Sequence, residues 1–326
     1  MMARRRLLTL LLALGVLTAP LAADAQSTRT PRIGWLGNGA PAPVPQNLVA
    51  FRRGLQQRGW VEGQSVMIEY RWTGGNVSRI PALLGELVQL NVDVIVLSGT
   101  PAIRAARSVT STVPVVFVYL ADPVTAGFVP SLARPGGNLT GVASEFESLV
   151  TKQLGLLKEA VPAVSRVAVL HHPELAPAVL SSTEMAARGL RLTVLPLSVA
   201  EVAHFEPAFR RAQSEGAGAI HVLPSPFFYL HRRPLVELAA KYRLPAAYEL
   251  KEFVEEGGLM SYGPGLNEMF RLSASHVDRI LKSAKPGDLP IERPTTFEFV
   301  LNLKTAKAIS LTIPPSVLAR ADQVIE

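Results

Sequence analysis

The sequence predicts an α/β protein of two doubly wound lobes, each a parallel sheet between helices, joined by a multi-strand hinge. Three observations carry this. From Arg32 onward, short apolar runs alternate with stretches whose apolar residues recur at helical spacing. One of those runs, Val94-Ile95-Val96-Leu97, is apolar without a break, as a strand covered on both faces is. The strand-then-helix order closes near Ser144 and begins again after the helix that follows.

In the first half, strands are expected over 32–37, 66–72, 94–97, 114–120 and 139–144. Leu48, Phe51 and Leu55 share one side of a helix that Gly59 ends. Val66 to Trp72 alternates apolar and polar residues, the pattern of a half-exposed edge strand. A helix over 78–91 leads to the run at Val94. After that run comes Ser98-Gly99-Thr100, with Pro101 suited to a first helical turn. A strand that ends in a small-residue turn and opens a helix offers free N–H groups and the positive end of a helix dipole to an anion. In an open parallel sheet that turn lies at the carboxyl edge, where ligands bind. An ordinary turn with no ligand has the same sequence. A short helix is expected after Ala121-Asp122-Pro123, before the turn at Arg134-Pro135-Gly136-Gly137.

The second half repeats this grammar, with helices over 149–160, 175–188, 201–214 and 228–242 and strands over 166–170, 191–197, 218–223 and 245–249. The tail adds a strand at 259–262, a long helix over 266–282 and a strand through Phe297, Phe299 and Leu301. It is too short for a third domain and completes the two lobes. The domains expected are an export signal over 1–25, a first lobe of 31–144 plus 250–288, and a second lobe of 145–249 plus 289–326.

Arg4-Arg5-Arg6, the apolar stretch Leu7 to Ala22 and Ala23-Asp24-Ala25 read as a cleavable secretory signal. The stretch is shorter than the ~20 residues of a membrane span. The chain has no cysteine, hence no disulfide and no cysteine for a lipid anchor. A mature protein free in a bacterial periplasm is expected. Removing Arg4, Arg5, Arg6 and Asp24 lowers the formal charge from +7 to +5. The basic pairs are scattered along helices and no basic run is interleaved with aromatics, which argues against nucleic acid as a partner.

Three runs are family signatures in combination: Gly127 to Gly141, with Arg134-Pro135-Gly136-Gly137-Asn138 inside it; Gly257-Gly258-Leu259-Met260-Ser261-Tyr262-Gly263-Pro264; and Asn302-Leu303-Lys304-Thr305-Ala306-Lys307 with Leu311-Thr312-Ile313-Pro314-Pro315-Ser316. In these the chain resembles the ABC-transporter substrate-binding proteins that include tryptophan- and tyrosine-binding members. The resemblance covers nearly all of the mature chain. It implies the type I periplasmic binding protein fold, three hinge crossings, a small organic solute (an amino acid, aromatic in some members) in the cleft, a permease in the inner membrane as partner, and a monomer. It places the ligand carboxylate at Ser98, Gly99 and Thr100, an acidic partner for an ammonium at Asp122, and a pocket wall at Asn38. Ser144 lies where the chain leaves the first lobe, and Ser225 and the pair Tyr248-Glu249 end strands of the second. Tyr262 is expected to flank the ligand's side chain. Relatives often carry Asp near Ser225 and Asn-Pro where this chain has His172-Pro173.

Each candidate has a plainer reading. Asp122 before a proline caps turns. Tyr248 and Tyr262 fit core aromatics with a wet hydroxyl. His171 and His172 are adjacent and point to opposite faces in extended chain. No acid/base pair, Gly-x-Ser-x-Gly elbow or Walker loop stands out. No enzyme activity, metal or cofactor is expected. An exported α/β enzyme acting at the same cleft and a periplasmic sensor-partner binding protein are the alternative readings.

Overall fold

A computed structural model of the chain describes residues 29–144, 146–174 and 177–326. The expected export signal over 1–25 lies outside the described residues.

The first sheet has strand order β2-β1-β3-β4-β5 and is parallel throughout. Its strands are β1 (Arg32–Gly37), β2 (Met67–Trp72), β3 (Val94–Ser98), β4 (Val115–Ala121) and β5 (Leu139–Ser144). The chain winds outward on both sides of β1 and β3, the order of a doubly wound lobe. Helices α1 (Gln46–Gln56), α2 (Ile80–Gln89) and α3 (Thr100–Val109) connect the strands. Alternate residues serve alternate faces. Val94, Val96, Val116 and Val118 pack with Phe51 and Leu55 of α1, whereas Ile95, Leu97, Val115 and Phe117 pack with Leu84 of α2 and Ile103 of α3. Both faces are covered, so β3 reads as one unbroken apolar run. Half-exposed β2 is an edge strand, as its alternation requires.

The second sheet has order β12-β11-β10-β9-β8-β6-β7. It comprises β6 (Arg166–His171), β7 (Thr193–Ser198), β8 (Ala219–Val222), β9 (Ala246–Tyr248), β10 (Met260–Pro264), β11 (Phe297–Asn302) and β12 (Gln323–Ile325). Only the β10–β11 pairing is antiparallel. The helices from residue 146 on are α4 (Phe146–Ala160), α5 (Pro177–Gly189), α6 (Phe205–Ser214), α7 (Pro226–Leu230), α8 (Arg232–Lys241), α9 (Lys251–Glu255), α10 (Leu266–Leu281), α11 (Leu303–Ala308) and α12 (Pro315–Leu318).

The helix expected over 228–242 is two helices broken at His231. Pro234 explains the break: it sits in the first turn of α8, where a missing N–H is tolerated, and would rupture a continuous helix. No helix follows Pro123; the segment is a turn.

The stretch 250–288, expected with the first lobe, divides. Strand β10 pairs with β9 and β11 and so belongs to the second sheet. Helix α10 returns to the first lobe and lies on α1, where Gly54 permits the approach: a Cβ there would lie 2.8 Å from Ala274 Cβ. Trp60 Nε1 donates to Asp278 Oδ1 (2.8 Å) across the same seam. Glu292 then pairs beside β5 through Ala143 N and Gly141 O before the chain re-enters the second sheet at β11. The chain thus passes between the sheets after β5, after β10 and before β11. This is the type I periplasmic binding protein fold that the resemblance implied.

Candidate functional site

The carboxyl ends of the first sheet's strands face the second lobe. Ser98 ends β3, Gly99 turns the chain at φ 87° and ψ 151°, and Thr100 opens α3. Such a conformation is open to glycine alone among common residues. The same glycine lets the lobes meet, since a Cβ on it would lie 2.6 Å from Pro226 Cγ of α7. Asn38, in the loop after β1, donates from Nδ2 to Ser98 Oγ (3.0 Å). Thr73 Oγ1 and Gly75 N donate to the Asn38 carbonyl, fixing that loop.

Two cavities lie along the contact between the lobes. The inner one, about 40 Å³, is lined by Gly99, Thr100, Tyr119, Ser144 and Phe146 and, from the second lobe, Pro224, Pro226 and Glu249. It has room for a water or a single small polar group. The outer one, about 670 Å³, is within the size range of small-molecule sites. Its first-lobe wall includes Trp35, Asn38, Trp72, Ser98 and Phe270; its second-lobe wall includes Tyr229, Arg232, Lys251, Glu252 and Glu255. Tyr119 lines both cavities.

Of the residues expected at the site, Asn38, Ser98, Gly99, Thr100, Ser144 and Glu249 line these cavities. Asp122, Ser225, Tyr248 and Tyr262 line neither. Asp122 Oδ1 accepts the N–H groups of Val124 and Thr125, both at 3.1 Å, which is the turn-capping role. Ser225 caps α7 by accepting Phe227 N at 3.2 Å, and its proline neighbours take the cavity wall. Tyr248 is fully buried and stacks on Phe253 at 4.6 Å. Tyr262 stacks on Phe297 at 6.0 Å.

The cleft's acidic groups are instead Glu249, Glu252 and Glu255 from the second lobe. Glu249 is 4% exposed; Tyr119 OH donates to its Oε2 (2.6 Å) and Ser144 Oγ to its Oε1 (3.2 Å). Burial pushes its carboxyl up to about 7, against the lowering effect of those two bonds. Glu252 is also raised by burial, and its Oε2 is buried without a hydrogen-bond partner. Arg232 lies with Cζ 5.0 Å from the Tyr229 ring centroid and donates to Tyr229 O and Glu256 Oε1, leaving its buried Nε unpartnered. Trp35 Nε1, on the first-lobe wall, is a third buried polar atom without a hydrogen-bond partner among the described residues lining this cavity.

Tyr119, Trp35, Trp72, Tyr229, Arg232 and Glu252 were missed by sequence reasoning. For Glu252 a signal existed, since it follows the strand-end pair Tyr248-Glu249 closely. For Tyr119 there was none, because its position depends on a bulge in β4 between Val118 and Leu120.

Known proteins are similar to this chain in sequence and in fold. A profile of ABC transporter substrate binding proteins matches residues 46–325. The chain belongs to that family. It binds a small-molecule solute and works with an ABC transporter, the role the family description states. A tyrosine-binding protein of Clostridioides difficile is 23% identical over 266 residues, covering 80% of this chain and 75% of that protein. The crystal structure of a conserved domain protein from Vibrio cholerae has a TM-score of 0.83 at 26% identity and covers 91% of this chain and 100% of its own. A Streptococcus pneumonia ABC domain solved in complex with L-Trp has a TM-score of 0.80 at 25% identity, again over 91% of this chain and 100% of its own. Among the described residues no helix is long and apolar enough to cross a membrane.

Proposed function

We propose that this family member captures an amino acid, of the aromatic class, in the outer cavity and presents it unchanged to a permease in the inner membrane. The observation that carries the reading is the pairing of opposite polarities across one cavity. The first lobe supplies Ser98, at the strand end just before the N-terminus of α3, with Asn38 beside it, and the second supplies Glu252 with an unpartnered oxygen. A carboxylate suits the first and an ammonium the second. An ammonium would add to the charges of Lys251 and Arg232, which already favour the ionised form of Glu252 against its burial. Trp35, Trp72, Tyr229 and Phe270 provide aromatic surface between the two ends. The tyrosine-binding relative and the L-Trp complex support the aromatic class. Asn38 and Ser98 line this outer cavity and Gly99, Thr100, Ser144 and Glu249 the inner one beside it; the ammonium partner is reassigned from Asp122 to Glu252.

The same reading makes the protein an exported periplasmic monomer. Its support is the order Arg4-Arg5-Arg6, apolar stretch, Ala23-Asp24-Ala25, with cleavage before Gln26. Binding without chemical change is supported by membership in a substrate-binding family.

Mass spectrometry of small molecules released by denaturing the purified protein tests the ligand class, and calorimetry with the recovered solute follows. Glu252→Gln is expected to weaken binding by about tenfold to a hundredfold, the worth of one charge-assisted contact. A released solute without an amino group, or equal affinities in the two proteins, sinks the reading. Recovery of a chemically altered solute after incubation points to the enzyme instead.

A further inference from the structure

Tyr119 reaches the cleft through an irregularity in a central strand. The β4–β5 register shifts between Val118 and Leu120, and Tyr119 has φ 61°, a left-handed value unusual for an aromatic residue. Phe117 and Leu120 both pack on the face shared with α2 and α3, so Tyr119 is the inserted residue, freed from the alternation. Its hydroxyl crosses to Glu249, just past the end of β9.

The resulting arrangement is unusual for a carboxylate. Glu249 belongs to the second lobe, and its hydrogen-bond donors among the described residues, Tyr119 and Ser144, belong to the first. Gly99 and Thr100 from the first lobe and Pro224 and Pro226 from the second enclose the same small space. On the far side Gly263 leaves room where a Cβ would lie 2.7 Å from Glu249 Cγ. The charged and titratable groups that line the outer cavity with Tyr119 are Tyr229 on α7, Arg232 on α8, and Lys251, Glu252 and Glu255 on α9. Among the described residues none of these hydrogen-bonds to Glu249; Glu252 and Tyr229 act on Tyr119, and both make its phenol harder to ionise. Among the described residues the carboxyl is thus held by two neutral hydroxyls and no cation acts on it, under a cover that the other lobe provides. Parting the lobes removes both donors and the cover together.

We propose that Glu249 is a proton-binding site coupled to cleft closure: the closed protein takes up a proton there and the open protein releases it. The proposal rests on the cleft being the solute site only for its consequence, that affinity rises as pH falls through neutrality. The protonated carboxyl keeps both contacts, accepting from Tyr119 and donating to Ser144. The ionised form must be desolvated to reach the closed state. The direction follows from linkage. A carboxyl raised to about 7 in the closed form, against 4.5 when solvated, binds its proton more tightly there. Closure is therefore most favourable at low pH and weakens as pH rises through about 7. Between about pH 5.5 and about pH 7.5 the closure constant falls by about twentyfold.

The test uses solute-free protein, so that a wrong ligand assignment leaves it untouched. The chain has no cysteine, so Val77→Cys on the first lobe and Met185→Cys on the second, both exposed, take spin labels at unique sites. Electron–electron distance distributions then give the closed fraction against pH. In the otherwise wild-type labelled protein the closed fraction is expected to fall as pH rises across that interval. With Glu249→Gln added, it is expected to stay at the low-pH value throughout. With Tyr119→Phe, which removes a bond favouring the ionised carboxyl, the fall is expected to move to higher pH. A closed fraction independent of pH, or the same dependence with and without Glu249→Gln, overturns the proposal. Infrared difference spectra of the unlabelled wild type check the site directly. A protonated-carboxyl band that titrates near neutral pH and is lost in Glu249→Gln is expected, and its absence from the folded wild type overturns the proposal as well.

Discussion

Pro226 of the second lobe fills the space that a side chain on Gly99 of the first would occupy, with its Cγ 2.6 Å from the Cβ position. The contact makes one glycine serve two ends. Its φ of 87° and ψ of 151° aim the N-terminus of α3 at the cleft, and its bare Cα lets α7 close over that terminus. Gly99→Ala is expected to resist closure. The backbone conformation costs an alanine about 1–3 kcal/mol, and the methyl meets Pro226 as well. Small-angle scattering should give a larger radius of gyration for the variant than for the wild type with saturating solute. Equal radii would show that α7 moves aside.

Asp122→Asn is expected to leave solute affinity unchanged and to lower stability by about 0.5–1.5 kcal/mol, the worth of an ordinary hydrogen bond. Burial opposes ionisation of Asp122, but bonds from Thr125 and Val124 and the charge of Arg293 hold the carboxyl below its usual range. Its contribution is therefore present above the unfolded value of 3.8 and lost as pH falls through the lower folded value. Calorimetry with the released solute and thermal melts of both proteins separate the two effects. A large loss of affinity would return Asp122 to the site.

The alternation of strand and helix was readable because buried strands and one-sided helices leave strong periodic signals. Short elements such as α9 and β12 leave none, being under two turns or a few residues long. At the site, the expected residues that line the cavities are those at or just beyond strand ends: Asn38, Ser98, Gly99, Thr100, Ser144 and Glu249. Asp122 also follows a strand, but its positive φ of 24° turns it into the loop behind. Tyr248 and Glu249 could not both face the cleft, because neighbours in extended chain point oppositely; the phenol went to the core and the carboxylate to the cleft. Counting by twos from Phe117 puts Tyr119 in the first lobe's core, and only the bulge removes it.

Tyr248→Phe is expected to stabilise the fold. The Tyr248 hydroxyl is buried without a hydrogen-bond partner while the ring stacks on Phe253 with planes 14° apart. Deleting an unsatisfied buried hydroxyl and keeping the ring should gain about 1 kcal/mol, or roughly 2 °C in melting temperature for a chain of this size. A lower melting temperature would mean that the hydroxyl has a partner, such as an internal water.

His221 sets a second pH dependence, opposite in sign to that of Glu249. The imidazole is fully buried in β8, with Nε2 2.7 Å from Gln153 Oε1. Gln153 Nε2 donates to Tyr262 O, so its Oε1 is the acceptor and His221 Nε2 carries the proton. Nδ1 is left buried and unpartnered. Burial alone lowers the imidazole to about 4, from 6.5 when solvated. The folded state thus binds fewer protons than the unfolded one in that window. The stability from a neutral His221 is complete above 6.5 and lost as pH falls toward about 4, by up to roughly 3 kcal/mol. Glu249 works the other way between 7 and 4.5, gaining stability as pH falls. A melting curve of the wild type against pH contains both, so the informative quantity is the difference from a variant. His221→Gln keeps a donor toward Gln153 and cannot titrate. Its melting temperature should fall less than that of the wild type between pH 6.5 and 4.5, and parallel curves would show that the imidazole does not stay neutral in the folded protein.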